Sequence, residues 1–293
     1  MNHILRGMDR GQNFRFFLAN TTELTKEMKE IHKLSETATA ALGRAAAVSA
    51  IMASMMKNLK DKITVQIQGN GPGGKLILVA SSTGGIKATV DHPEIELPLK
   101  SNGKLDVGGY VGKDGQMIII RDLGLKEPYV GRSPLVSGEI AEDFAYYFAK
   151  SEQQPSVVNL GVLFNKEGQV ETAGGILIQT MPDIPEEVLI QLEKDVASMP
   201  NFTKAAQISA DANDRLHALL PSFELDFMDE MPVFWECDCS RERMEQALLA
   251  LGKDELESLM NEDDSTEMHC HFCNTNYHFN KEDLLQLIQE SNG

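Results

Sequence analysis

All four cysteines of this 293-residue chain lie in its last 57 residues, and they come as two close pairs. Cys237-Asp238-Cys239 is followed by 30 residues and then by Cys270-His271-Phe272-Cys273. Two close pairs flanking a folded loop are how a chain gathers four thiolates around one zinc ion, each at about 2.3 Å. Two structural disulfides and four unrelated core thiols are the competing readings. A compartment that keeps thiols reduced disfavours the disulfides, and the pairing itself disfavours unrelated thiols. His269, His271 and His278 are near enough in sequence to compete as ligands. Four cysteines already complete a tetrahedron, which leaves the histidines surface or supporting roles.

A closed shell of four cysteines leaves zinc no open position for water or substrate, so a hydrolytic zinc enzyme is not expected. The charge around the cysteines excludes another class. Residues 181–293 carry 7 Lys/Arg against 25 Asp/Glu, a net of −18, whereas residues 1–180 are nearly balanced at +1. Phosphate binding needs Lys and Arg, so a nucleic-acid zinc module is not expected either. A thioredoxin-like role for Cys270 and Cys273 lacks the βαβ pattern around them. What remains is a structural zinc or a zinc switch. Residues 233–293 make a module of 61 residues, and a core that small rarely supplies more than about 3–5 kcal/mol. Zinc binding in Cys-rich modules is worth about 10–16 kcal/mol. Metal removal should therefore unfold the module, and oxidation of the thiolates is a route to removal.

The rest of the chain reads as an ordinary folded protein, 42% hydrophobic and 24% charged, long enough for about two domains. Thr21-Thr22-Glu23 starts a helix, and Ser35 caps a second that is expected to run to about Leu59. That second helix is rich in Ala38, Ala40, Ala41, Gly43, Ala45, Ala46 and Ala47, which suits a central packing helix. Arg44 near its middle argues against a membrane span, at a cost of at least ~2.5 kcal/mol. Met1 to Asn20 lacks the pattern of an export signal, because Phe14-Arg15-Phe16-Phe17-Leu18 is too short and too charged. A cytoplasmic chain with neither a membrane nor a nucleic-acid partner is expected.

From Ile63 the period changes to two. Ile63, Val65 and Ile67 alternate with polar residues, and Leu76–Val79 and Ile86–Val90 follow across glycine-rich turns. Tyr110-Val111 and Met117–Ile120 flank Lys113-Asp114-Gly115 as an expected hairpin, as Val157–Phe164 and Gln169–Thr172 flank Asn165–Gly168. Ile176–Ile178 adds a further run, and a helix is expected from about Ser137 to Lys150. Gly69-Asn70-Gly71-Pro72-Gly73-Gly74 matches a dinucleotide-binding pattern letter for letter. A β-run rather than a helix follows it, so the glycines read as turn residues. Past Met181–Pro185, residues 185–198 read as an amphipathic helix with Val188, Leu189, Leu192 and Val196 as its apolar stripe, and a second helix is expected near 203–220. Neither has a sheet of its own to cover, so this connector must borrow a packing surface.

The fold class expected is α+β. It comprises an N-terminal largely antiparallel sheet domain with packing helices over 1–179, a helical connector over 180–232 and a small zinc-binding domain over 233–293.

The cysteine text resembles the 33 kDa chaperonin family of bacterial redox-regulated heat-shock chaperones. The likeness is carried by Phe234-Trp235-Glu236-Cys237-Asp238-Cys239-Ser240-Arg241-Glu242-Arg243, by Leu251-Gly252-Lys253-Asp254-Glu255-Leu256, and by Cys270-His271-Phe272-Cys273-Asn274 with Tyr277-His278-Phe279. It continues upstream in Ala41-Leu42-Gly43-Arg44, in Tyr147-Phe148 with Ser151-Glu152-Gln153, and in Gly174-Gly175 with Ile178-Gln179. The resemblance implies an ATP-independent cytoplasmic holdase and not an enzyme. Zinc on Cys237, Cys239, Cys270 and Cys273 would keep it inactive when reduced. Peroxide or hypochlorite with heat would form Cys237–Cys239 and Cys270–Cys273 disulfides, release zinc and unfold the module and connector. The opened protein would bind unfolded or aggregation-prone client proteins, with homodimerisation on activation. Two other classes compete with that reading: a constitutive protein-interaction module with a purely structural zinc, and a thiol oxidoreductase.

Overall fold

The structure is a computed structural model that describes residues 2–209, 211–262 and 265–290. Contacts divide the chain into two compact units, Met1–Trp235 and Glu236–Gly293. The first opens with β1 (His3–Asp9) and β2 (Phe14–Asn20), then α1 (Thr22–His32) and α2 (Glu36–Ser54). Next come β3 (Lys62–Gln68), β4 (Lys75–Ser81), β5 (Gly85–Val90), the short α3 (Val107–Val111), β6 (Gln116–Asp122) and β7 (Tyr129–Pro134). It continues through α4 (Ala141–Lys150), β8 (Ser156–Phe164) and β9 (Val170–Thr180) to α5 (Glu186–Ser198), α6 (Phe202–Ile208) and α7 (Ala212–Leu219). β10 (Leu225–Pro232) and β11 (Phe234–Trp235) complete it.

The strands form two sheets, ordered β10-β1-β2-β9-β8 and β11-β5-β4-β3-β6-β7, antiparallel throughout except for the parallel β11–β5 pair. This is the α+β, largely antiparallel architecture expected. Helix α2 packs against strands of both sheets, and that position explains its composition. Thr37 to Ala53 are buried apart from Arg44, and only small side chains let two sheets approach one helix. Ser35 caps it as expected, its hydroxyl accepting the Ala38 N–H at 3.0 Å. The helix ends at Ser54 rather than Leu59. The Asp61 carboxylate takes the Asn58 N–H at 3.1 Å, closing a turn that leaves Leu59 exposed.

The second face of the five-stranded sheet is what the connector borrows. Phe14, Phe16 and Leu18 of β2 and Ile176 and Ile178 of β9 form a second core with Leu192 of α5, Phe202 and Ala205 of α6, and Leu216, Leu219 and Leu220 at α7. Val196 packs on its rim. Phe17 and Ala19, alternating with those residues along β2, face the α2 core instead.

Three expectations need correction. Tyr110-Val111 is not a strand but the end of α3, because the Asp106 carboxylate caps that helix by accepting the Gly109 N–H at 2.9 Å. The hairpin partner of β6 is β7. The helix expected over 203–220 is two helices, and Ala210 between them lies outside the described residues. The connector is not helical to its end, since β10 adds to the sheet edge beside β1, where Arg6 and Arg10 pair with Asp229 and Glu224. The Gly69–Gly74 run is a turn, as read: Gly71 and Gly73 donate to the carbonyls of Val111 and Tyr110 at 3.0 and 2.9 Å. No helix among the described residues is long and apolar enough to cross a membrane.

The second unit contains α8 (Arg241–Leu249), α9 (Lys253–Glu262), the hairpin β12 (Ser265–His269) and β13 (Asn276–Asn280), and α10 (Lys281–Glu290). Its apolar centre is small, formed by Leu248, Leu256, Phe279, Leu284, Leu287 and Ile288.

Candidate metal centre

Each cysteine pair is presented by a different local device. Cys237 and Cys239 lie on an extended stretch that ends at Ser240, whose hydroxyl accepts the Arg243 N–H at 3.3 Å and caps α8. Cys270 and Cys273 occupy the turn between β12 and β13. There the Cys270 N–H donates to the Thr275 carbonyl at 3.0 Å, and the Asn274 N–H donates back to the Cys270 carbonyl at 2.8 Å. Asn274 takes the left-handed conformation that closes this turn, φ 57°, which asparagine tolerates better than most residues.

The two devices bring all four sulfurs to within 4.8 Å of one another. Cys237 Sγ lies 3.7 Å from Cys270 Sγ, and Cys239 Sγ lies 3.2 Å from Cys273 Sγ. Four sulfurs at about 2.3 Å from a common centre would have edges of about 3.8 Å, so this donor set suits a soft, tetrahedrally bound ion such as zinc. None of the four is in a disulfide. Cys270 is buried and the others half-buried.

Electrostatics point the same way. Burial pushes the Cys237 and Cys239 thiols up. Burial acts on Cys273 as well, but hydrogen bonding with the Thr275 hydroxyl, 3.2 Å away, and with Cys239 outweighs it and brings Cys273 down to about 7. The Tyr277 hydroxyl donates to Cys239 Sγ at 3.2 Å, and that bond raises its own value to about 12. Four thiolates at these separations repel one another strongly. A divalent cation removes that cost, and the Tyr277 and Thr275 hydroxyls are placed to support the charged sulfurs.

Two of the three nearby histidines have polar partners of their own. His269 is engaged by Asn276 Oδ1 at 2.5 Å and Asn274 Oδ1 at 3.2 Å, and His278 faces Glu267 at 3.0 Å. Arg241 is a residue that spacing could not single out. Its guanidinium donates to the His278 carbonyl at 2.9 Å, pairs with Asp283 at 2.9 Å and Glu245 at 3.2 Å, and lies 4.4 Å over the Phe279 ring. One side chain thus ties the segment after Cys239 to the hairpin that carries Cys270 and Cys273 and to α10.

Comparison with known proteins agrees with this fold. The model of the family described as Hsp33 protein matches residues 2–280. The 33 kDa chaperonin of Caldanaerobacter subterraneus subsp. tengcongensis is 43% identical over 290 residues, covering 99% of each chain. That of Clostridioides difficile is 44% identical over 289 residues, again 99% of each. The crystal structure of the Thermotoga maritima 33 kDa chaperonin superposes with a TM-score of 0.90 at 37% identity, covering 99% of this chain and 98% of that one. These relatives carry the name of chaperonins and not of enzymes. With the family model matched over residues 2–280, relatives of 43–44% identity along 99% of the chain and a solved structure of the same fold, the chain belongs to the Hsp33 family.

Proposed function

We propose that this protein is a redox-regulated, ATP-independent holdase chaperone of the cytoplasm. The observation that carries the proposal is four thiols gathered in a unit whose apolar core, among the described residues, centres on six buried side chains. Such a unit depends on its metal. In the reduced state Cys237, Cys239, Cys270 and Cys273 hold one zinc ion, which when bound supplies a crosslink between the α8 entry and the β12–β13 turn. Peroxide or hypochlorite takes two electrons from each thiolate pair and forms the Cys237–Cys239 and Cys270–Cys273 disulfides. The thiolates are then no longer donors, and residues 233–293 lose their fold.

Residues 180–232 are the release segment in this reading. They are joined covalently to the zinc-binding domain and packed on the N-terminal core domain, 1–179. Helices α6 and α7 are too short to persist without the sheet beneath them. Their departure uncovers Phe14, Phe16, Leu18, Ile176 and Ile178, an apolar strip suited to unfolding or oxidatively damaged client proteins. The −18 net charge of residues 181–293 keeps the opened form soluble by self-repulsion. A homodimer accompanies activation, and neither nucleic acid nor membrane is a partner.

The test is light scattering from a heat-unfolding client, comparing zinc-loaded reduced protein with peroxide-treated protein. Suppression only after oxidation is expected. Equal suppression in both states would leave the constitutive interaction module with a structural zinc as the better reading.

A further inference from the structure

Strand β10 carries two methionines in unlike settings. Met228 is 64% exposed. Met231 is half-buried, pairs across the ladder with Ile4, and packs on the core around α2. It also lines a cavity of about 300 Å³ together with Ile4, Arg6, Ser54, Asp229 and Glu230. The cavity opens to solvent, so a small polar oxidant can reach a thioether whose other side rests on apolar core. Arg6 pairs with Asp229, and the Ser54 hydroxyl donates to the Ile51 carbonyl at 2.7 Å, so the lining is polar as well as accessible.

We propose that Met231 is a second oxidation site, reached by peroxide through this cavity, whose conversion to the sulfoxide loosens β10 from β1 independently of the four cysteines. In this step the thioether sulfur gives up two electrons and gains one oxygen atom from the peroxide. The O–O bond breaks, and the remaining oxygen leaves as water. The product places a polar S=O group against Ile4, which is 1% exposed, where the thioether had fitted the apolar wall. A strand at a sheet edge has a partner on one side only, so loss of that packing loosens its ladder first. Val233, immediately beyond β10, is buried in the same core, and β11 follows it. Loosening at Met231 therefore frees the chain that leads from the connector toward Cys237. This deepens the proposed function and rests on its reading of residues 180–232 as the release segment.

Dithiothreitol separates the two chemistries, because it reduces disulfides and leaves methionine sulfoxide in place. Zinc-loaded protein is treated with peroxide, then with dithiothreitol and zinc, and compared with untreated protein by peptide mass mapping and amide hydrogen exchange. Met231 is expected to carry the added oxygen, and residues 225–235 are expected to exchange about tenfold faster than in untreated protein. Part of the client suppression should persist, and methionine sulfoxide reductase should abolish it. Met231→Leu, which keeps the volume, should recover fully with dithiothreitol alone, whereas Met228→Leu should behave as the unmodified chain. Met231→Gln should show the faster exchange without oxidant. Met231 left unoxidised while Met228 is converted, or oxidised Met231 with unchanged exchange at 225–235, would overturn the proposal. Faster exchange at 225–235 with no client suppression in any redox state would leave the Met231 site standing and overturn the chaperone reading.

Discussion

The Phe234 backbone N–H donates to the Gly84 carbonyl at 3.0 Å, three residues before the first cysteine of the candidate metal centre. Gly84 has φ +98°, and a Cβ there would lie 2.0 Å from the Pro232 carbonyl oxygen. Here the chain passes from the edge of one sheet to the edge of the other with no room for a side chain. Gly84→Ala should force the 232–235 crossing away from β5 and cost at least about 1–2 kcal/mol from the left-handed backbone alone. The expected result is a lower thermal midpoint and client suppression by the reduced protein without oxidant, with zinc still bound one to one.

Phe202 is 1% exposed at the centre of the cover on the second sheet face. Phe202→Ala should weaken that cover by about 3–5 kcal/mol. Hydrogen exchange in α5–α7 should rise in the reduced protein and an apolar dye should bind, while α8–α10 keep their protection.

A strand is legible in a sequence when its two faces meet different surroundings, and β2 and β10 depart from that condition in opposite directions. Ile63, Val65 and Ile67 announced β3 because its second face carries the polar residues Thr64 and Gln66. β2 gave no such alternation, because α2 lies on one face and α5–α7 on the other, so Phe14, Phe16, Phe17 and Leu18 are all buried. β10 was hidden for the opposite reason. It is an edge strand whose Asp226, Asp229 and Glu230 read as solvated charge until His3 and Arg6 on β1 and Arg10 just beyond it are placed opposite. The four cysteines were legible because metal ligation demands a spacing. Arg241, Thr275 and Tyr277 were not singled out, because supporting hydrogen bonds constrain no sequence pattern.

Arg241 should matter to the metal without touching it. Arg241→Ala is expected to weaken zinc affinity about 10–100-fold, measured by chelator competition. Arg241→Lys should recover little, since one ammonium cannot reproduce the fork that reaches His278, Asp283 and Glu245 together.

Glu139 joins Arg44 of α2, at 2.8 Å, to Lys100 in the segment between β5 and α3. Burial works against its charge, but hydrogen bonds from Lys100 and Arg44 hold the carboxyl below its ordinary value. Hydrogen bonding to Glu139 outweighs burial at Lys100 and raises it. A depressed carboxyl stabilises the fold fully above its unfolded value of about 4.3 and ceases to do so as pH falls through the folded value. The raised Lys100 contributes fully below about 10.4 and loses its contribution as pH rises through its folded value. Stability should therefore plateau between these limits. Glu139→Gln should lower the plateau by about 1–3 kcal/mol and flatten its acid edge in urea titrations.

Amide hydrogen exchange, compared between zinc-loaded reduced protein and protein oxidised by peroxide, tests the coupling of thiol chemistry to the apolar cover most directly. Protection in α5, α6, α7 and β10 is expected to collapse together with that of α8–α10, while β2, β9 and α2 remain protected. Unchanged protection over residues 180–232 after the four thiols are oxidised would contradict the switch.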